Sequence, residues 1–553
     1  MPFRSRLGLL AASAVLCSAA FAPFGQFYLA WFGLVPWLLA LRGVPTMRGA
    51  YALGWLGGVL FFGITMHWLW RATIPGTIGV TCYLSLFWGF AAAVIVGARL
   101  LDPSVQRASW HIVGSTVLLA VIWSASEWLR GYVLGGFPWA FISHTQTPIV
   151  AMCQIADVTG SYGIAFWVMF INATVYFMLV SRPRRNVIPV AAVCAGLLVF
   201  AAIYGAFRIH QTNARPGPMV LVVQSNFPHE RGGARTVPQQ QQIDFHLSTT
   251  QKSLMRNNAD LVVWSETVMP GLNVETRYEP GLGAAPFLQR THQLLSTLAA
   301  ENHTAILTGG YYVGGWQGEL GSRRATDIRN SVYLYDRTGQ QSVQRYDKIH
   351  LVPFAEFLPF RESAPPIYRI LRWFAAYSVD YPIIAADSNA LTAFSFDVPP
   401  SSDHPGGSYR VVTPICFEDT DAELVSRMFR PGADGAKRAD FIANITNDGW
   451  FRGVQQAQHL QFAIFRSIEN RVATARSANT GISGFIDSCG RTIKLVPART
   501  EGNAALRLPL DDRITFYSRF GDVFGISCTA IALGVGAYAV GRRWRFRAGQ
   551  KQG

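Results

Sequence analysis

The sequence predicts two architectures in one chain: an α-helical transmembrane bundle of about eight spans, and an α/β layered domain. Three observations predict them. Half of the 553 residues are hydrophobic and only 15% are charged, a balance too apolar for an ordinary soluble enzyme. Apolar runs of membrane-spanning length crowd the first two hundred residues, and one more lies near the end. Between them a polar block, from about 216 to 515, alternates short β-branched runs with helical stretches.

The apolar runs lie at roughly 7–24, 27–41, 50–70, 77–98, 108–126, 162–180, 188–206 and 521–540, most near the ~20 residues that a bilayer requires. The first follows Arg4 and Arg6 and ends in "SAAFAPF", as a cleaved leader would, but further spans follow at once and the helix reads as uncleaved. The net charge of +15 would suit nucleic acid, yet the arginines are distributed otherwise. If spans alternate, Arg4, Arg6, Arg42, Arg48, Arg99, Arg107, Arg182, Arg184, Arg185 and the tail Arg542, Arg543, Arg545 and Arg547 all fall on one side, which marks the cytoplasm. The basicity is therefore a topology signal, and no nucleic-acid partner is expected. Seven spans before the polar block and one after it put that block on the opposite face, the periplasm of a bacterial inner membrane. The expected domains are 1–215, 216–515, and 516–553 with the final span and basic tail.

Of seven cysteines, only Cys416 and Cys489 lie in the polar block. Two cysteines make no disulfide framework, and without CxxC or paired Cys/His spacing nothing points to a metal or another cofactor. Strands are expected at 218–226, 259–267, 303–313, 329–337, 408–418, 439–448 and 483–491, with helices at 286–301 and 455–475. Polar residues stand at or beyond the ends of apolar runs: Glu266 after "LVVWS", Lys348 in "RYDKIHLVPFAEFLPF" and Cys416 after "VVTPI". Sites in α/β sheets are built at strand carboxyl ends. A Cys nucleophile needs a base for its proton and a positive group for the oxyanion; Glu266 and Lys348 offer these, with the Phe417 N–H as a further donor. The residues alone leave a second reading open, a Lys–Glu ion pair beside an inert, buried thiol.

The series "WSET", "YDKIHLVPFAEFLPF", "PICFED" and "NITNDGWF" resembles that of the nitrilase superfamily, and the flanking spans narrow the resemblance to the bacterial apolipoprotein N-acyltransferase family. The resemblance covers nearly the whole chain. It implies a nitrilase-like αββα sandwich with Cys416 as nucleophile, Glu266 as general base and acid and Lys348 as oxyanion stabiliser. Glu356 and Glu418 then correspond to supporting carboxylates. Two departures stand out: Phe417 where relatives often carry Tyr, and no Trp in "NFPHERGGA" (226–234), where relatives often have a Lys-Trp pair.

The implied reaction moves an acyl chain from a membrane phospholipid to Cys416 as a thioester, then to the α-amino group of the diacylglyceryl-modified N-terminal cysteine of an apolipoprotein. Confining both substrates to the bilayer plane would raise their effective concentration. The rivals are a membrane-tethered amidase acting on a small soluble compound, and a transporter with a degenerate outer domain. An amidase needs at most one anchor, and a transporter predicts charges within spans, where Glu127 stands almost alone.

Several other features are expected to be structural. Arg466, Glu469, Arg471 and Arg476 read as a salt-bridged face, with phospholipid phosphate as the alternative. His350 and His459 read as ordinary polar contacts, and Asn447 to Trp450 as a turn beside the site. In "PPIYRILRWFAAYSVDYP" (365–382), Ile367, Ile370, Leu371, Phe374 and Tyr377 recur at near-helical spacing, as in an interfacial lid, the alternative being a core helix. The aromatics and glycines of "EWLRGYVLGGFPWAF" (127–141) suit a membrane interface.

Overall fold

The computed structural model describes residues 1–102, 108–211, 214–230, 235–278, 285–319, 323–358, 360–375, 383–402, 404–451 and 453–550. The chain divides into two units, one of Met1–Leu69, Thr77–Gln211 and Phe520–Gly553, the other of Trp70–Gly76 and Thr212–Arg519.

Seven helices among the described residues are long and apolar enough to cross a membrane: Phe3–Ala20, Met47–Thr65, Ile74–Gly97, Ser109–Gly135, Ser161–Val180, Arg184–His210 and Val523–Arg542, all in the first unit except the first three residues of Ile74–Gly97. The remaining apolar run, Phe27–Leu41, is shorter and broken into three helical pieces with a junction at Leu34. Asn172 of the Ser161–Val180 helix meets that break. Its amide donates to Ala30 O at 2.7 Å and its Oδ1 accepts Leu34 N–H at 2.8 Å, giving partners to polar backbone that an apolar surrounding would leave bare. Helices approach closely where side chains are small: a Cβ on Gly54 would stand 2.5 Å from Trp88 O, and one on Gly58 2.9 Å from Ser85 Cα. The charges near the end of the Ser109–Gly135 helix are buried and serve backbone. Glu127 Oε1 accepts Ile142 N–H at 2.8 Å, and Arg130 donates to Ala140 O at 3.3 Å. Of the 127–141 aromatics, Phe137, Trp139 and Phe141 are buried, with Trp139 against Trp68 at 5.1 Å, while Tyr132 stays exposed as an interfacial residue would be.

The second unit contains twelve strands among the described residues: β1 (Ala214–Gln224), β2 (Leu261–Val263), β3 (Ala305–Gly314), β4 (Asp327–Tyr335), β5 (Gln341–Asp347), β6 (Phe394–Val398), β7 (Gly407–Val412), β8 (Phe441–Thr446), β9 (Ala473–Ala478), β10 (Ser483–Ile486), β11 (Thr492–Val496) and β12 (Gly502–Asp511). They form two six-stranded sheets, ordered β12-β1-β2-β3-β4-β5 and β11-β10-β9-β8-β7-β6. Parallel pairs β1–β2–β3 and β7–β8–β9 form the centres, and antiparallel strands flank them. Strand alternation makes the layers. Val220, Val222, Leu261 and Val263 share one core with Val411, Phe441, Ala443 and Ala475 of the other sheet. Leu221, Val223, Val262 and Trp264 point the other way, onto Ile243, Leu254, Leu295 and Leu298 of helices Gln239–Leu254 and Ala285–Glu301. The result is a two-sheet α/β sandwich of nitrilase-like arrangement.

All seven expected strands are present, and the helix expected over 455–475 ends at Asn470, with Arg471 left-handed at φ 49° before β9 begins. The sequence reading missed β5, β6, β9, β11 and β12. The β9 sequence "ATARSA" is small and polar yet wholly buried, so its strand character comes from lying between β8 and β10 rather than from propensity.

One glycine couples the sheet to the site. A Cβ on Gly309 of β3 would stand 2.8 Å from Glu266 Cα, Ser265 O and Thr267 N, all backbone atoms that cannot swing away. Gly309→Ala is therefore expected to destabilise the fold by about 1–3 kcal/mol and to displace Glu266, read as a lowered melting temperature together with slower chemistry at Cys416.

Candidate active site

Glu266 lies three residues beyond the last residue of β2 and is buried with both carboxylate oxygens hydrogen-bonded. Its Oε1 accepts Asn330 Nδ2–H at 2.7 Å and Lys348 Nζ–H at 3.2 Å, and its Oε2 accepts the backbone N–H of Asn447 at 2.8 Å. The preceding Trp264 is fixed by its indole, which donates to Thr250 at 3.0 Å. Lys348 follows β5 directly. Its own N–H donates to Asn330 O at 2.8 Å, so Asn330 holds the backbone of the lysine and the carboxylate of its partner at once. The ammonium is buried and also reaches Glu356 Oε1 at 2.8 Å, while Glu356 Oε2 accepts Val352 N–H at 2.8 Å.

Cys416 follows β7 by four residues and opens the short 3₁₀ turn Cys416–Thr420 with φ 50°, a left-handed conformation that costs a non-glycine residue about 1–3 kcal/mol. Glu418 holds that turn. Its Oε2 accepts Ile415 N–H at 2.7 Å and Tyr346 O–H at 2.9 Å, and its Oε1 accepts Ile349 N–H at 2.6 Å and His350 N–H at 3.0 Å. One carboxylate thus ties the cysteine turn to the segment that begins with Lys348. Cys416 remains partly exposed.

The electrostatics follow from this packing. Burial and then the Glu266 charge push the Cys416 pKa well above its usual value, against the pull of Lys348. The resting thiol is therefore protonated at neutral pH and cannot act without a proton acceptor. Burial disfavours the Lys348 cation, but Glu266 and Glu356 outweigh it and hold its pKa well above normal. Burial pushes Glu418 up to about 7 against its backbone hydrogen bonds and Lys348. All four of its partners are donors, so the ionised carboxylate is the form that satisfies them.

Glu266, Lys348 and Cys416, far apart in sequence, come together, with Glu356 and Glu418 bracing the lysine and the cysteine turn. Phe417 is buried with its ring edge-on to His350 at 5.3 Å, and His350 Nδ1 lies 2.9 Å from Asp421 Oδ2. On the 226–234 loop, of which 231–234 lie outside the described residues, His229 stacks on Trp450 at 4.4 Å and its Nε2 is 3.0 Å from Asn447 Nδ2. Arg466 pairs with Glu469 at 2.8 Å, but in the interior, so it is no exposed phosphate site; Arg476 reaches Asp419 instead. The helix Pro365–Leu371 buries none of its residues, and Ile370 and Trp373 are 63% and 80% exposed, which excludes the core-helix alternative; Tyr377 lies outside the described residues. Sequence reading missed Asn330, which holds both Glu266 and Lys348. Asn330 shares strand parity with the core residues Val332 and Leu334, and a polar residue on a core-facing stripe was the available signal.

A family profile described as the apolipoprotein N-acyltransferase N-terminal domain matches residues 13–174, and one described as carbon-nitrogen hydrolase matches residues 233–513. The chain belongs to the apolipoprotein N-acyltransferase family of carbon-nitrogen hydrolases. Proteins named apolipoprotein N-acyltransferase from Geobacter metallireducens and Chlorobaculum tepidum are similar to it over nearly their whole length. They are 28% and 27% identical, covering 96% and 91% of this chain and 94% and 90% of their own. Among solved structures, an amidase from Nesterenkonia sp. is 13% identical and covers 54% of this chain and 93% of its own at a TM-score of 0.35.

Replacing Glu418 by Gln turns one acceptor into a donor facing donors. Glu418→Gln is expected to cost about 1–3 kcal/mol for each backbone N–H left unsatisfied and to loosen the cysteine turn. The check is a lower melting temperature together with a changed rate of Cys416 alkylation by iodoacetamide.

Proposed function

We propose that this acyltransferase of lipoprotein maturation works through a thioester on Cys416, drawing its acyl chain from a membrane phospholipid. Glu266 accepts the thiol proton as sulfur attacks the ester carbonyl, and the oxyanion forms beside the Lys348 ammonium, with the Phe417 N–H as a second donor. The carbon–oxygen bond then breaks, Glu266 returns the proton to the leaving oxygen, and lysophospholipid departs. In the second half, the α-amino group of a diacylglyceryl-modified apolipoprotein cysteine attacks the thioester. Glu266 takes a proton from that nitrogen, the carbon–sulfur bond breaks, and the Cys416 thiol is restored. The observation that carries this reading is the placement of a partly exposed thiol in the field of a buried carboxylate and a buried ammonium that is braced by a second carboxylate.

In the same reading the α/β unit lies on the periplasmic face of a bacterial inner membrane. Arg4, Arg6, Arg42, Arg48 and Arg99 share the cytoplasmic side only if the short Phe27–Leu41 segment returns the chain across the bilayer. The exposed apolar residues Ile367, Ile370 and Trp373, beside Arg369 and Arg372, fit a lid or foot at the lipid interface.

The test is incubation of the purified protein with phospholipid labelled in its acyl chain. Wild type is expected to form a hydroxylamine-sensitive adduct, and Cys416→Ser to form none; an adduct that persists in that variant places the nucleophile elsewhere. Glu266→Gln should slow adduct formation by about 100-fold or more, as loss of a general base does. Lys348→Ala should slow it as well. Because that change leaves Glu266 and Glu356 without their shared cation, it should also lower stability by about 3–5 kcal/mol.

A further inference from the structure

Behind the cysteine, four buried charged groups alternate in sign. His459, on the helix Gln455–Asn470, places Nδ1 2.7 Å from Asp448 Oδ1 and Nε2 2.9 Å from Asp419 Oδ1. Both partners are carboxylate oxygens, so both ring nitrogens must donate, and a neutral imidazole has only one N–H. Arg476, on β9, donates to Asp419 Oδ2 at 2.8 Å and to Asn444 Oδ1, and its other arm lies 3.6 Å from Asp448 Oδ2. All four side chains are at most 2% exposed, so the two positive and two negative charges must balance one another.

The two carboxylates belong to the two turns that hold the reacting groups. Asp419 sits three residues after Cys416 in the same 3₁₀ turn. Asp448 follows Asn447, whose N–H holds Glu266 Oε2, and accepts the Thr446 hydroxyl at 3.4 Å. Asn444, bound to Arg476, also donates to Pro414 O at 3.0 Å, just ahead of the cysteine.

We infer that His459, as an imidazolium, and Arg476 are positioning residues that lock the Cys416 turn to the Glu266-holding turn through Asp419 and Asp448, and so set the approach of thiol to base. The inference rests on the proposed role of Cys416 and Glu266. The groups facing His459 are Asp448 and Asp419, Arg476 from β9, and Gln455 on its own helix. Burial works against its charge, yet Asp419 and Asp448 raise its pKa from 6.5 to about 9. Its contribution to stability is therefore complete below pH 6.5 and is lost as pH rises to about 9.

The experiment uses the full-length protein with labelled phospholipid and the variants His459→Gln, Asp419→Asn, their double and Arg476→Lys. His459→Gln is expected to slow adduct formation per folded molecule by about 10- to 100-fold, without changing the phospholipid concentration that gives half-maximal rate. The double variant, in which an amide pair replaces the ion pair, should recover part of that loss. Arg476→Lys keeps the charge but loses one arm, and should slow the reaction if His459→Gln does not fold. Wild type should lose melting temperature between pH 6.5 and 9, and His459→Gln should be flatter over that window. Alkylation of Cys416 by iodoacetamide reads the same coupling without acyl transfer, and its pH profile should move upward in His459→Gln, where Asp448 is less compensated. Wild-type adduct rates in both His459→Gln and Arg476→Lys, or an unchanged alkylation profile, would overturn the inference. Absence of adduct in wild type with a shifted alkylation profile would instead overturn the acyl-transfer reading alone.

Discussion

The buried ammonium of Lys348, shared between Glu266 and Glu356, is the charge on which the rest of the site depends. An ammonium in the interior is costly unless carboxylates surround it, and a carboxylate there is costly unless it is paired or hydrogen-bonded. Neither partner could occupy its position alone. Once the pair is fixed, the neighbouring thiol experiences opposing fields, and burial together with Glu266 outweighs Lys348, so its pKa rises. In the proposed mechanism that balance gives the carboxylate its task, accepting the thiol proton.

Holding those groups at working distance is a task for backbone more than for side-chain packing. Glu418 receives three backbone N–H groups and a tyrosine hydroxyl, and Glu266 receives one backbone N–H and the Asn330 amide. Each carboxylate gathers donors from strand ends distant in sequence, which can meet only because the two sheets pack face to face on an apolar core. The positive φ of Cys416 is sustained by this arrangement, since the strain of one residue is small against several charge-assisted hydrogen bonds.

The helical unit obeys the same accounting of polar groups in a different solvent. Asn172 supplies a donor and an acceptor where the Phe27–Leu41 segment breaks, and Glu127 and Arg130 serve the backbone of 140–142. Other polar residues of this unit pair with one another, as Arg208 does with Asp157 at 2.6 Å.

By itself the sequence determined the large division of the chain, because hydropathy is additive along a segment and needs no partner to be read. It also determined the strongest strands and the chemical types near their ends, Glu266, Lys348 and Cys416, while Glu356 and Glu418 entered only through the resemblance of the motif series. Tertiary structure decided what depends on neighbours. β9 is a strand because β8 and β10 flank it, Asn330 belongs to the site because β4 lies beside Lys348, and His459 is doubly bonded because two aspartates from separate turns converge on it. Such contacts join residues tens to hundreds of positions apart, and no local pattern of propensity or spacing carries them.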